Sequence, residues 1–190
     1  MPTYFTSDIH YEHRLLSFLR GFESPEAHDA AFDEMWRSTV GKHDLVWILG
    51  DLHMSGYRTA LERMAALPGR KRIVLGNHDA AHPMHRTAGA AFGPFTDVFE
   101  QVTTAATIRL NGRKVLSSHF PYDGEGRRTG PERFRQWRLK DLGEPLLHGH
   151  THAPDRATRS ASGSLQVHVG LDAWGFRLAA ETEVLDLMAD

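Results

Sequence analysis

The chain contains no cysteine, so neither a disulfide framework nor a thiolate metal site is open to it, and any metal must be held by imidazole, carboxylate or amide. It also lacks a surplus of charge. Lys and Arg total 22 against 24 for Asp and Glu, which removes a general attraction to nucleic acid or to an anionic membrane and leaves only local patches. Long apolar runs are missing too. No stretch is long enough to span a bilayer, and Met1 to Asp8 shows no basic segment leading into an apolar one, so a cytoplasmic protein with no membrane partner is expected. With 190 residues the expectation is a single domain over residues 1–190 with a sizeable core.

Against these absences the thirteen histidines stand out. Several close short apolar runs. Tyr4–Thr6 and Ser7 lead into Asp8-Ile9-His10, Leu45–Leu49 into Gly50-Asp51, and Arg72–Leu75 into Gly76-Asn77-His78-Asp79. Val115-Leu116 precedes His119, and Leu146-Leu147 precedes Gly149-His150-Thr151-His152. In open αβ sheets ligands gather at the carboxyl ends of strands, so groups spread from residue 8 to residue 152 can converge on one site.

Ser24-Pro25 predicts a helix start, with Phe32, Met35 and Trp36 at helical spacing and Gly41 as the stop. Leu61, Met64 and Leu67 fit a second helix closed by Pro68-Gly69, which makes the first eighty residues βαβαβ. Residues 80–91 are expected to add a further helix. From about residue 97 the texture is β-rich. Asn111-Gly112 is the strongest hairpin signal, joining Thr103–Leu110 to Lys114–Ser118, and two late strands are expected near 145–148 and 165–170. Phe120 to Gly143, rich in Gly, Pro and charge, is a long loop with at most a short central helix. Glu181–Met188 fits either a helix or a strand.

On an extended strand end, the spacing in Asp8-Ile9-His10 puts both polar side chains on one face, and His150 and His152 repeat it. Asp51 offers two oxygens with which to bridge two cations. Asn77 offers a neutral carbonyl, leaving net positive charge that favours a phosphate. Each motif alone is also what a cap or a turn uses. Together and in this order, the motifs from Asp8 to His152 resemble the five signature motifs of the calcineurin-like metallophosphoesterase superfamily, and more particularly its small bacterial and phage single-domain members. Ser7–His13, Ser118–Tyr122 and Val169–Trp174 carry that finer likeness.

The resemblance implies an α/β fold of the four-layer αββα sandwich type and two divalent transition-metal ions. Asp8, His10 and His152 would hold the first, Asn77, His119 and His150 the second, and Asp51 both. His78 would be the general acid, with Asp79 orienting its ring. Paired cations lower the pKa of a bridging water, deliver hydroxide in line to phosphorus and neutralise its oxygens, so no protein nucleophile is needed. Imidazole, carboxylate and amide ligands suit Mn first, then Fe or Zn.

For substrate contacts, Arg127 and Arg128 in the long loop are candidate phosphate clamps, within a segment whose Arg133, Arg135, Arg138 and Lys140 also fit a solvated helix face over Phe134 and Trp137. His13 is either a further substrate contact or a cap, and His53 is read in the same way. His28, His43, His82 and His85 are expected on solvated faces, and His148 beneath the site. The function implied is hydrolysis of a small phosphodiester, nucleotide-type such as a 2′,3′-cyclic nucleotide. A phosphomonoesterase or a nuclease on polymeric nucleic acid is the alternative use of the same site, and a non-catalytic scaffold is disfavoured because every ligand and His78 are present.

Overall fold

A computed structural model describes residues 1–54, 56–126 and 128–189. Along the chain the elements are β1 (Thr3–Thr6), α1 (Arg14–Leu19), α2 (Pro25–Thr39), β2 (Leu45–Ile48), α3 (Tyr57–Ala66), β3 (Arg70–Val74) and α4 (Ala88–Thr96). There follow β4 (Gln101–Thr103), β5 (Ala105–Leu110), β6 (Arg113–Ser118), β7 (Leu146–His148), β8 (Ala157–Arg159), β9 (Leu165–His168), β10 (Ala179–Ala180) and α5 (Glu181–Leu187). They form two five-stranded sheets, ordered β10-β1-β2-β3-β4 and β5-β6-β7-β9-β8. β1 to β4 run parallel, as do β6, β7 and β9, so the carboxyl ends within each set share one edge.

Alternation along the strands builds the layers. In β2 and just beyond it, Val46 and Ile48 pack with Phe32, Trp36, Leu61, Met64 and Phe95 of the helices outside. Trp47 and Leu49 point the other way, into a core shared with Val115, Leu147 and Val167 of the second sheet. Phe5 and Val74 join that inner core, as do Val184 and Met188 at the far end of the chain. The architecture is the mixed α/β sandwich expected. The outer face of the second sheet is covered by the segment after His119. Gln166 on that face accepts from the Tyr122 amide at 2.6 Å, and the helical part of this cover is a single 3-10 turn at Arg135–Trp137.

Local signals act as chemistry requires. Ser24 caps α2 by accepting from the Ala27 amide (3.2 Å), with Pro25 at the first helical position. Asn111 (φ 47°) and Gly112 (φ 80°) form the left-handed hairpin corner between β5 and β6. The helix expected over residues 80–91 begins only at Ala88. Residues 80–87 are chained turns in which His82, His85 and Ala88 each donate to the carbonyl three residues back, and Pro83 has no amide with which to continue a helix. No helix of the described residues is long and apolar enough to cross a membrane.

Trp36 is fully buried between α2 and the first sheet, and its indole N–H donates to the Pro68 carbonyl at 2.9 Å. Trp36→Ala should therefore lower the unfolding free energy by about 3–5 kcal/mol, read from denaturant midpoints, and a loss below about 1 kcal/mol would place this contact outside the core.

Candidate metal centre

The strand ends converge through backbone that the sequence pattern did not reveal. The Asp8-Ile9-His10 segment is not extended: Asp8 has φ 57° and His10 φ 55°, while Asp51 (54°), His150 (71°) and His152 (49°) are also left-handed. In this region a side chain crowds its own backbone, so each such residue must be held from outside. The glycines that precede the ligands allow the segments to touch. A Cβ on Gly76 would lie 2.6 Å from the Asp51 amide nitrogen, and one on Gly149 would lie 2.7 Å from an Asp8 carboxylate oxygen.

Two sets of potential ligands result. Asp8, His10 and His152 each offer an atom within 4.8 Å of the others, and Asp51, His119 and His150 do the same. Asp51 lies between the sets, with Oδ2 3.6 Å from His10 Nε2 and 3.4 Å from His119 Nε2. Asn77 Oδ1 is 3.2 Å from His119 Nε2, which brings the amide to the second set. The first set fits a cation on independent grounds. His10 is buried, and neither of its ring nitrogens has a hydrogen-bond partner, so both stay available to ligate.

The charges agree. Burial pushes His10 and His150 each down to about 3, so both are the neutral donors that a metal requires. Burial opposes charge on His119 as well, but the Asp51 carboxylate outweighs it and lifts the imidazole to about 9. The His119 Nδ1 donates to the Leu49 carbonyl at 2.7 Å, which turns Nε2 to Asp51 at 3.4 Å, where a cation would take the place of a proton as counter-charge. Asp51 and Asp8 are held below the usual carboxylate range. Burial works against this in both, and His119 and His168 respectively prevail.

His78 overhangs the site. Its side chain is 35% exposed, with Nε2 4.0 Å from Asp51 Oδ2, and its amide donates to Asp51 Oδ1 at 2.9 Å. Asp79 does not do what was expected of it. Instead of orienting the His78 ring, its carboxylate accepts from the amides of Gly76 (2.7 Å), Leu52 (2.9 Å) and Asp51 (3.0 Å), because it points back under the strand ends and is wholly buried. His13 caps α1 by accepting from the Leu16 amide and stands edge-on to His10 with ring centres 5.4 Å apart. Arg127 lies outside the described residues. Arg128 is exposed, its amide bonded to the Glu125 carbonyl.

Histidines placed on solvated faces divide. His43 is exposed, but His28 and His82 are buried, one beside Arg20 and the other edge-on to Trp137, and half-buried His85 bonds the Asn77 carbonyl at 2.9 Å. His53 is buried, its Nε2 accepting from the Ala80 amide, and His148 is buried against His168. The sequence reading also missed two acids beside the ligands. Asp172 Oδ2 lies 2.8 Å from His152 Nδ1, and Glu125 Oε2 lies 3.5 Å from His150 Nε2. Asp172 falls within the late segment that carried the finer resemblance; Glu125 had no signal beyond its place in a long loop.

The family model described as calcineurin-like phosphoesterase matches residues 1–154. The chain is 46% identical over 197 residues to the Gene 66 protein of Mycobacterium phage L5, covering 98% of this chain and 93% of that one. It is 44% identical over 196 residues to the Gene 66 protein of Mycobacterium phage D29, covering 98% and 96%. Among solved structures it is similar in fold to a protein of unknown function from Aquifex aeolicus, with a TM-score of 0.72, 21% identity and 98% of each chain covered.

Asp79→Ala would strand three buried amides, each worth about 1–3 kcal/mol when left unpaired. The expected outcome is a loss of about 3 kcal/mol or more in unfolding free energy. A carboxylate acting only on His78 would instead change turnover and leave the denaturant midpoint almost in place.

Proposed function

Because the chain belongs to the calcineurin-like phosphoesterase family, we propose that it is a two-metal phosphodiesterase acting on a small nucleotide-type ester, such as a 2′,3′-cyclic nucleotide. The observation that carries this reading is the pair of ligand sets on either side of one buried carboxylate, Asp51, beneath the part-exposed His78. In this assignment Asp8, His10 and His152 would hold one cation, Asn77, His119 and His150 the other, and Asp51 would serve both. Two divalent ions, Mn first and Fe or Zn next for such a donor set, supply Lewis acidity that activates water and neutralises phosphoryl oxygens.

The remaining chemistry belongs to side chains. His78 would give a proton to the leaving oxygen, a role supported by its part-exposed ring, whose Nε2 is 4.0 Å from Asp51 Oδ2. Its amide bond to Asp51 Oδ1 fixes it relative to the two ligand sets. Arg133 supports a phosphate contact at the edge of the ligands. It is the one guanidinium hydrogen-bonded to a candidate ligand's side chain among the described residues, 3.4 Å from His150 Nε2, and its Nε is committed to Glu125.

The test is a panel with Mn present, comparing 2′,3′-cyclic and 3′,5′-cyclic nucleotides, a simple monoester and a single-stranded oligonucleotide. The highest kcat/KM is expected on the 2′,3′-cyclic compound. A preference for the monoester or the oligonucleotide would replace the diesterase assignment, and no turnover of any ester would remove the catalytic one. His78→Ala should keep its metal content while kcat drops about 10²–10⁴-fold, most for poor leaving groups. Loss of metal in that variant would make His78 a ligand rather than the acid.

A further inference from the structure

Behind the first ligand set sits one arginine whose donors are all engaged. Arg20 closes α1. Its Nε donates to Asp172 Oδ1 at 2.9 Å and its Nη2 to Asp172 Oδ2 at 2.9 Å, a two-pronged fork on one carboxylate. Nη2 also donates to the Asp8 carbonyl at 2.7 Å and Nη1 to the Ile9 carbonyl at 3.2 Å. The fifth N–H, on Nη1, faces His28 Nε2 at 3.0 Å. The side chain is 6% exposed and spans 152 residues of sequence to reach Asp172.

Each partner leads to the same three residues. Asp172 Oδ2 is 2.8 Å from His152 Nδ1, which leaves His152 Nε2 facing Asp8 at 3.8 Å. The Asp8 and Ile9 carbonyls belong to the turn in which Asp8, His10 and Glu12 are all left-handed. His28 in turn bonds Asp29 through Nδ1 at 2.9 Å, and Asp29 accepts the Glu12 amide at 3.1 Å, closing the far end of that turn. Among the described residues, no bond made by the side chains of Arg20, Asp172, His28 or Asp29 runs to His119, Asn77 or His150, and the Asp8 carboxylate meets the second set only at the His150 main-chain amide. A lysine could not replace this fork, because one ammonium cannot reach a carboxylate edge-on and two successive carbonyls at once.

We propose that Arg20, acting through Asp172 and the Asp8 and Ile9 carbonyls, is a positioning residue that sets the affinity of one metal position, that of Asp8, His10 and His152, and leaves the other nearly untouched. The inference rests on the two-metal reading above. A carboxylate behind a ligating histidine fixes its tautomer and ring orientation, and loss of such a partner lowers metal affinity about 10–100-fold.

The experiment is stepwise Mn titration of the metal-stripped protein, followed by electron paramagnetic resonance and metal analysis. It compares wild type with Arg20→Lys and Asp172→Asn, using His10→Ala and Asn77→Ala as references for loss of one position each. Arg177→Ala removes a similar fork, to Glu183, away from the site and serves as control. Arg20→Lys and Asp172→Asn should each bind one Mn as wild type does and the second about 10–100-fold more weakly, with the remaining Mn giving the His10→Ala spectrum. Unchanged binding at both positions, equal weakening at both, or the Asn77→Ala spectrum would overturn the proposal. Should Arg20→Lys fail to fold, Asp172→Asn decides alone, since it alters one oxygen. Wild type that loads two Mn and hydrolyses no phosphodiester would sink the diesterase reading and leave this one standing, whereas wild type that loads no Mn overturns both.

Discussion

Left-handed backbone at the strand ends is the constraint on which the rest of this structure depends. Five of the seven candidate ligands, Asp8, His10, Asp51, His150 and His152, have φ between 49° and 71°, a region that costs about 1–3 kcal/mol for a residue with a side chain. Such turns persist only where the surroundings over-determine them, and the buried polar groups beneath the site serve that end. Asp79 gathers the amides of Gly76, Asp51 and Leu52, so the ends of β2 and β3 are bound to one carboxylate. Asp8 accepts the His150 amide with both oxygens, at 3.1 and 3.0 Å, tying the first sheet to the second. The acids around the centre therefore divide between Asp79, which only holds backbone in an otherwise unfavourable shape, and Asp8 and Asp51, which hold backbone amides and also offer oxygens to the ligand sets.

That division explains what the sequence disclosed and what it hid. The order of the motifs and their place after apolar runs were legible, because strand ends in a parallel sheet share an edge and because Gly before Asp or His marks a close approach. The hairpin at Asn111-Gly112 and the start of α2 at Ser24-Pro25 were legible because their chemistry is local. Asp79 was misjudged since its partners are backbone amides, which leave no mark on residue type. Arg20 was invisible for a related reason. α1 is six residues with no apolar period, and the acid that its last turn reaches lies far along the chain. β8 and β10, at three and two residues, are too short to carry a pattern.

Histidines show the same limit from the other side. Composition flagged them as potential ligands, yet their burial follows from tertiary partners that no spacing encodes. His28 lies among Phe22, Phe176 and Arg20, and His82 packs on Trp137 of a segment that the sequence marked as a long loop with at most a short helix. His85 touches the centre through the Asn77 carbonyl rather than through any ligand position. A buried imidazole is equally at home holding a main-chain group or a metal, and only the third dimension separates the two uses.

The ligands also come from both halves of the sandwich: Asp8, His10, Asp51 and Asn77 follow strands of one sheet, while His119, His150 and His152 follow strands of the other. The distances between them are therefore fixed by the thickness of the apolar layer in between, where Phe5, Trp47, Leu49 and Val74 meet Val115, Leu147 and Val167. A cation held across that seam would fasten the two sheets to each other. By mass action each tenfold excess of cation over its dissociation constant adds about 1.4 kcal/mol to that docking. The hydrocarbon interior acts as the spacer of a vice whose jaws are the two rows of strand ends, and inter-sheet cohesion and cation affinity are two readings of one equilibrium.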